Sequence, residues 1–261
     1  MLAEQLPETN SRYTQNNGHE LLHGQGHELL HQHVTAGHVS QPNVRTSYVH
    51  PKFESRSEVG KLLAKLLRYY ANHDNTVVFS IKPEATFVAY EIAKDLNLPL
   101  DLFLIRLLKI GGLTFGAISN RLQEEVMLKD QIVRGSDISQ ETIDNLVAQE
   151  RPELQNLINK YSPKGLSIPT GENATIILVT DGIQTGQNAR AAITILKSML
   201  GYQGKIVLVA GVIGSDAQKT FLHEVDDVVS LKGPQIVGTV ASWYQNNEQA
   251  SDQEIKSILQ I

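Results

Sequence analysis

Apolar and polar positions fall into two regimes along this chain. Up to about residue 50 apolar side chains are sparse, and Gln, Asn, Gly and Thr dominate. From Phe53 onward, stretches with helical periodicity alternate with short apolar runs. Residues 57–71 set Leu and Tyr at helical spacing, with Lys and Arg on the other face, which predicts an amphipathic helix. Thr76 to Ile81 is a short apolar run rich in β-branched residues and reads as a buried strand. Lys82-Pro83-Glu84-Ala85 reads as a turn, Thr86 to Leu96 as a helix, and Leu100 to Ile105 as the next strand. Residues 140–161 form a long polar helix. Ala174 to Val179 is the clearest strand; a loop from Thr180 to Gln187 and a helix from Ala189 to Leu200 follow it. Lys205 to Val212 and Asp227 to Leu231 read as two further strands. Strands alternating with helices at this spacing predict an α/β fold: an open, mainly parallel, twisted sheet flanked by helices. Such sheets bind ligands outside the carboxyl ends of their strands.

Composition narrows the class. The chain has 261 residues, 41% apolar and 20% charged, with a formal net charge of −5. That acidic balance argues against a general nucleic-acid binder, which shows a basic face. There is no cysteine, which excludes a disulfide scaffold, a thiolate zinc site and a thiol nucleophile. No apolar run approaches the roughly 18 residues that span a bilayer. The N-terminus has no Lys or Arg before Arg12, unlike a signal peptide. The expectation is a cytoplasmic protein with no membrane partner. Residues 1–50 are expected to be a disordered tail and residues 51–261 the folded domain. The tail holds a tandem Gly-His-Glu-Leu-Leu-His repeat that sets His19, His23, His27 and His31 at i, i+4 spacing. On a helix these would share one face and suit Zn²⁺ or Ni²⁺; the alternative is a polar tail that happens to be rich in histidine.

The loop after the clearest strand offers the richest chemistry. The strand delivers Asp181 to the sheet edge, and Gly182 and Gly186 let the backbone approach a ligand. Thr180, Gln184, Thr185, Gln187 and Asn188 add side-chain polar groups, and the next helix presents unpaired N–H groups and a positive dipole end. Together they make a cradle for a phosphate. Asp181 would repel a phosphate, so its expected role is to accept hydrogen bonds from adjoining sugar hydroxyls. On that reading Asn at position 181 would weaken binding and spare folding. The alternative is a strand-to-helix turn using Gly and Asp for backbone reasons alone.

This loop resembles the 5-phosphoribosyl-1-diphosphate signature of type I phosphoribosyltransferases, and the likeness runs from Phe53 to Ile261. It is nearest to a bacterial branch of that family. Phe53 and Arg56 match its Phe-x-x-Arg start, and Phe115-Gly-Ala-Ile118 its Ile-Gly-Ala-like segment. Glu150-Arg151 to Tyr161 match its long helix, and Trp243-Tyr244 with Ser251-Asp-Gln-Glu254 its C-terminal segment. The resemblance implies a variable hood over the sheet and a Mg²⁺-dependent substitution at the anomeric carbon. Diphosphate would leave and a nitrogenous base would enter, with Asp181 as the catalytic carboxylate. Acceptor identity, and any homo-oligomer or protein partner, are left open.

The sequence departs from the family pattern where diphosphate would sit. Thr180 stands in place of the first of two acids, and Asn188 in place of a Thr. Lys82, Pro83, Glu84 and Ala85 replace a Pro-Arg-Gly-Gly loop, so the glycines are gone and a negative charge is added. Arg106 remains of an Arg-Lys pair, Leu107 replaces the Lys, and Lys109 offers a substitute. The chain is therefore read either as a transferase or as an inactive relative that binds a phosphoribosyl ligand or nucleotide and acts through a partner. Trp243 and Tyr244 either stack on the acceptor or cap the core. Asp226-Asp227 either replace the missing acid or open a strand in solvent, and His73 and His223 have no triad pattern around them.

Overall fold

The computed structural model describes residues 43–46, 52–161, 163–171, 173–247 and 250–259. The histidine repeat and its candidate ligands His19, His23, His27 and His31 lie outside the described residues. Residues Asn43–Thr46, within the segment that composition sets apart, form strand β1.

The centre of the molecule is β7 (Thr175–Ile183), nine residues all of which are buried. It is apolar on both faces, as a strand covered on both sides must be. Alternate side chains feed two cores. Ile176 and Leu178 pack with α5 (Gln187–Thr194), while Ile177 and Val179 pack with α1 (Arg56–Leu66) and α2 (Thr86–Leu96). The other members of the sheet are β2 (Thr76–Ser80), β3 (Leu100–Leu102), β8 (Lys205–Ile213) and β9 (Asp227–Lys232). The order is β1-β9-β8-β7-β2-β3, and every pairing is parallel. The expected mainly parallel sheet flanked by helices is what forms.

Two boundaries differ from the sequence expectation. The loop expected from Thr180 begins later, because Thr180 pairs with Ala210, Gly182 with Val212 and Ile183 with Ile213. The strand expected over Leu100–Ile105 ends at Leu102, and Ile105 opens β4 (Ile105–Ile110) of a second sheet. Asn120 turns the chain between them: its amide donates to Leu102 O at 3.2 Å and its oxygen accepts from Leu104 N at 2.8 Å. This side chain satisfies backbone groups that the sheet ladder no longer serves.

The second sheet is antiparallel and joins β4 to β5 (Leu113–Ser119) and β5 to β6 (Met127–Leu128). Gly111 and Gly112, at φ of 54° and 85°, make the tight β4–β5 turn. After α3 (Asp130–Gly135), α4 (Gln140–Tyr161) packs across β4. An internal ion pair roots this hood in the main sheet. Arg121 donates to Asp101 Oδ2 and Leu102 O, both at 2.8 Å, and to Leu166 O at 2.7 Å. Asp101 also accepts from the backbone N–H groups of Lys164 and Leu166. The guanidinium lies 4.4 Å from the Phe79 ring centroid.

The C-terminal half continues through α6 (Ser215–Phe221) and β9 to α7 (Asp252–Leu259). Ser251 and Glu254 form a reciprocal cap at the start of α7, and Asp252 accepts from the Tyr161 hydroxyl at 2.8 Å, tying α7 to the end of α4. Asp226 and Asp227 sit at the amino end of β9, the edge opposite the carboxyl ends of the strands, and so do not replace the missing acid. Asp226 accepts from Ile206 N at 2.8 Å, and Asp227 is buried rather than solvated. No helix among the described residues is long and apolar enough to cross a membrane.

Two glycines separate backbone strain from crowding. Gly186, at φ 71°, caps α5, and a Cβ there would lie 2.6 Å from the Phe221 ring. Gly201, at φ 61°, has open space where its Cβ would go. Gly201→Ala is therefore expected to cost about 1 kcal/mol and Gly186→Ala about 2–4 kcal/mol. Urea unfolding of both variants checks this, and equal costs would mean that Phe221 yields without penalty.

Candidate functional site

At the carboxyl end of β7 the chain leaves the sheet through Ile183 and enters α5 at Gly186. No side chain caps α5, and its first intrahelical backbone bond runs from Arg190 N to Gly186 O. The N–H groups of Gln187, Asn188 and Ala189 therefore have no helical partner and sit at the positive end of the helix dipole. They border a cavity of about 170 Å³. Its wall includes Thr180, Gly182, Gln184, Thr185, Gly186, Gln187 and Asn188, and two lysines, Lys82 from the turn after β2 and Lys109 from the hood. Gly182 is required here for space, since a Cβ would lie 2.7 Å from Val240, which closes the cavity from the C-terminal side.

A second cavity of about 470 Å³ adjoins the first and shares Ile81, Lys82, Asn188 and Val240 with it. Pro83, Glu84, Arg106, Asp181 and Arg56 line it, with Leu157 and Tyr161 of α4 on the far wall. Lys82-Pro83-Glu84-Ala85 forms a single 3₁₀ turn in which Pro83 offers no N–H and Ala85 is buried in the core. Arg106 is engaged by Glu150 of α4 at 2.6 Å. The residues expected on the diphosphate side thus present one lysine, one carboxylate and an arginine that already has a partner.

Asp181 is not the free acceptor that the sequence led us to expect. Arg56 donates to its Oδ2 from both Nε and Nη2, at 3.1 and 2.9 Å, and the two side chains are 6% and 7% exposed. Among the described residues, the hydrogen-bond partner of Oδ1 is the Thr180 hydroxyl, at 3.5 Å. The backbone of Asp181 is held as well, because the Tyr244 hydroxyl donates to its carbonyl at 2.6 Å. Burial, and after it the Asp181 charge, push that hydroxyl well above the ordinary tyrosine range, so it stays a donor at neutral pH. Asn at position 181 would leave a buried guanidinium without its carboxylate, so folding would not be spared.

Trp243 and Tyr244 line neither cavity. Tyr244 is buried beneath the Arg56 guanidinium, 4.6 Å from its ring centroid, and packs on Phe53 at 5.6 Å. Trp243 donates to Val237 O at 2.6 Å, with the Lys232 ammonium over its ring. His73 packs on Tyr69 and Tyr70, remote from either cavity. Sequence reasoning missed Arg56 as a site residue; the Phe53-x-x-Arg56 spacing was its signal, and nothing local said that its partner would be 125 positions away.

The fit to a magnesium ion is poor. The carboxylates on the two cavity walls are Asp181 and Glu84. One oxygen of Asp181 lies in the Arg56 fork, whose charge repels a cation. Among the described residues no three His, Asp or Glu side chains come together as a metal site.

Comparison with known proteins agrees with this architecture. No family model matches the chain. Two curated Mycobacterium tuberculosis proteins, from strains CDC 1551 / Oshkosh and H37Rv, are each 31% identical to it over 212 residues. Both carry the name "Putative phosphoribosyl transferase". The match covers 79% of this chain and 46% of each relative, so the chain spans about half the length of the curated relatives it matches. The structure of TT1426 from Thermus thermophilus superposes with a TM-score of 0.67 at 23% identity, over 80% of this chain and 97% of that one. That likeness shows a shared fold. The sequence match makes the chain similar, over 79% of its length, to proteins named as phosphoribosyl transferases.

Proposed function

We propose that the chain binds a phosphoribosyl ligand, with its 5-phosphate in the smaller cavity and its ribose beside Asp181. The observation that carries this reading is the convergence of the N-terminal N–H groups of α5 with Lys82 and Lys109 on one small cavity that opens onto the Asp181 cavity. A phosphate monoester is compact and dianionic and matches such a cradle. Oδ1 of Asp181 remains to accept from a sugar hydroxyl. The larger cavity takes the substituent at the anomeric carbon, and its Leu157, Tyr161, Leu104 and Ile105 walls suit a planar base.

The same geometry favours a monophosphate ester or nucleotide over the 1-diphosphate. The turn at residues 82–85 supplies neither paired glycines nor a free run of N–H groups, and Glu84 faces the space where a leaving diphosphate would lie. The transferase reading rests on Lys82, which borders both cavities and could hold the leaving group. In that reading an acceptor nitrogen bonds to the anomeric carbon as the carbon–oxygen bond to diphosphate breaks. Residence in the cytoplasm is part of the same proposal.

Calorimetric titration tests the reading with ribose 5-phosphate, ribose and 5-phosphoribosyl 1-diphosphate in parallel. The expected order has ribose 5-phosphate at least as tight as the diphosphate and ribose undetectable. A diphosphate preference of tenfold or more (about 1.4 kcal/mol), with diphosphate released when a base is added, would establish the transferase reading instead. Lys109→Ala is expected to weaken ribose 5-phosphate by about 1.5–3 kcal/mol, the scale of a hydrogen bond to a charged group, with little change in stability, because position 109 is exposed. Unchanged affinity would remove the hood lysine from the phosphate site.

A further inference from the structure

The residue at the start of α1 is out of place by local rules. Ser55 caps the helix by accepting from Glu58 N at 3.2 Å, which fixes Arg56 as its first residue. A cation at a helix N-terminus opposes the dipole, and burying it adds a desolvation cost. Arg56 is nonetheless 6% exposed. Features that violate local preference while being held by many contacts mark functional positions. Here the contacts are the twofold hold on Asp181 Oδ2, the Tyr244 ring beneath the guanidinium, and Asn247, whose oxygen accepts from Nη1 at 3.4 Å.

The consequence is electrical. Arg56 cancels the charge of Asp181, and Glu150 cancels that of Arg106. The cavity walls outside these pairs carry Lys82, Lys109 and Glu84. The ribose side is therefore neutral and the phosphate side positive. On the wall of the Asp181 cavity a divalent cation finds one carboxylate held by an arginine and one, Glu84, that shares the wall with Lys82, whereas a dianionic monoester finds two lysines and the helix N-terminus. Oδ1 of Asp181 still accepts from a neutral hydroxyl, a contact that needs no metal.

We propose that Arg56 is a positioning residue that fixes the ligand class of the site: by holding Asp181 it makes binding of a phosphoribosyl monoester independent of divalent metal. This rests on the phosphoribosyl reading above. With Arg56 removed, Asp181 would be an unpaired carboxylate beside ribose hydroxyls, which is a cation-binding arrangement.

The test is calorimetry of the full chain with ribose 5-phosphate, in EDTA and in excess Mg²⁺, on the native protein, Arg56→Gln and Arg56→Lys. The native protein is expected to give affinities agreeing within about threefold in the two buffers. Arg56→Gln is expected to gain about tenfold or more in Mg²⁺ over EDTA, and Arg56→Lys, which keeps the charge, to remain metal-independent. Mn²⁺ resonance spectra with ribose 5-phosphate present give the second readout: bound metal in Arg56→Gln and none in the native protein. A merely structural arginine would lower stability without creating a metal response. A native protein that binds the sugar phosphate only with Mg²⁺, or an Arg56→Gln variant indifferent to metal, overturns the proposal. Should Arg56→Gln not fold, the native comparison between EDTA and Mg²⁺ decides alone. Absence of binding in both buffers overturns the phosphoribosyl reading and this proposal with it, a result distinct from binding that needs metal.

Discussion

The buried pair of Arg56 and Asp181 constrains three distant parts of the chain at once. It fixes the first turn of α1, the carboxyl end of the central strand and, through Tyr244, the segment that follows β9. The last of these runs beside the first as an isolated parallel bridge between Phe53 and Tyr244. Gly211 of the neighbouring strand keeps this junction closed, since a Cβ there would lie 2.7 Å from the Tyr244 hydroxyl and 2.8 Å from the Asp181 carbonyl. Two charges taken out of water cost several kcal/mol each, and their attraction offsets this only when geometry and hydrogen bonding are good. The cost therefore selects one arrangement of the loop, because any other leaves a buried guanidinium or carboxylate alone.

A second buried pair does the same for the hood. Asp101 and Arg121 join the edge strand of the main sheet to the end of β5 and to residues 164–166, which lead from α4 back toward β7. With Asn120 bridging Leu102 and Leu104, they determine where the main sheet ends and how the hood stands over the site. Lys109 and Arg106 reach the cavities because β4 starts at that junction. The charge that the hood brings to the cavities thus depends on packing some distance from them.

The fold was largely legible because its elements follow strong periodic patterns. Thr86–Leu96 was read to the residue, since a Pro-containing turn precedes it and Asn97, in the left-handed conformation, ends it. The strands at 76, 175, 205 and 227 were legible as β-branched apolar runs. The end of β7 was not, because Asp181 and Gly182 have low strand propensity, and the pairing with β8 overrides it. The split of Leu100–Ile105 was hidden because an apolar run reads alike whether it belongs to one sheet or two. In the candidate site, the residues that line the smaller cavity at the start of α5 could be read from local order, since most of them are contiguous. The state of Asp181 could not, because its partner lies far away in sequence and pair formation is a tertiary property. Trp243 and Tyr244 show the same limit: their rings and polar tips suit a base or a core equally, and only the burial of Tyr244 and its bond to Asp181 decide its place.

Arg56 and Asp181 act as one unit, and a double-mutant cycle tests that directly. Urea unfolding would be measured for Arg56→Met, Asp181→Asn and the double variant. Each single change is expected to cost about 3–5 kcal/mol, because it leaves the other group buried without a partner. The double variant is expected to cost little more than either single one, giving a coupling of about 2 kcal/mol or more. Costs that add within about 0.5 kcal/mol would show the two residues to be independent and would contradict the account.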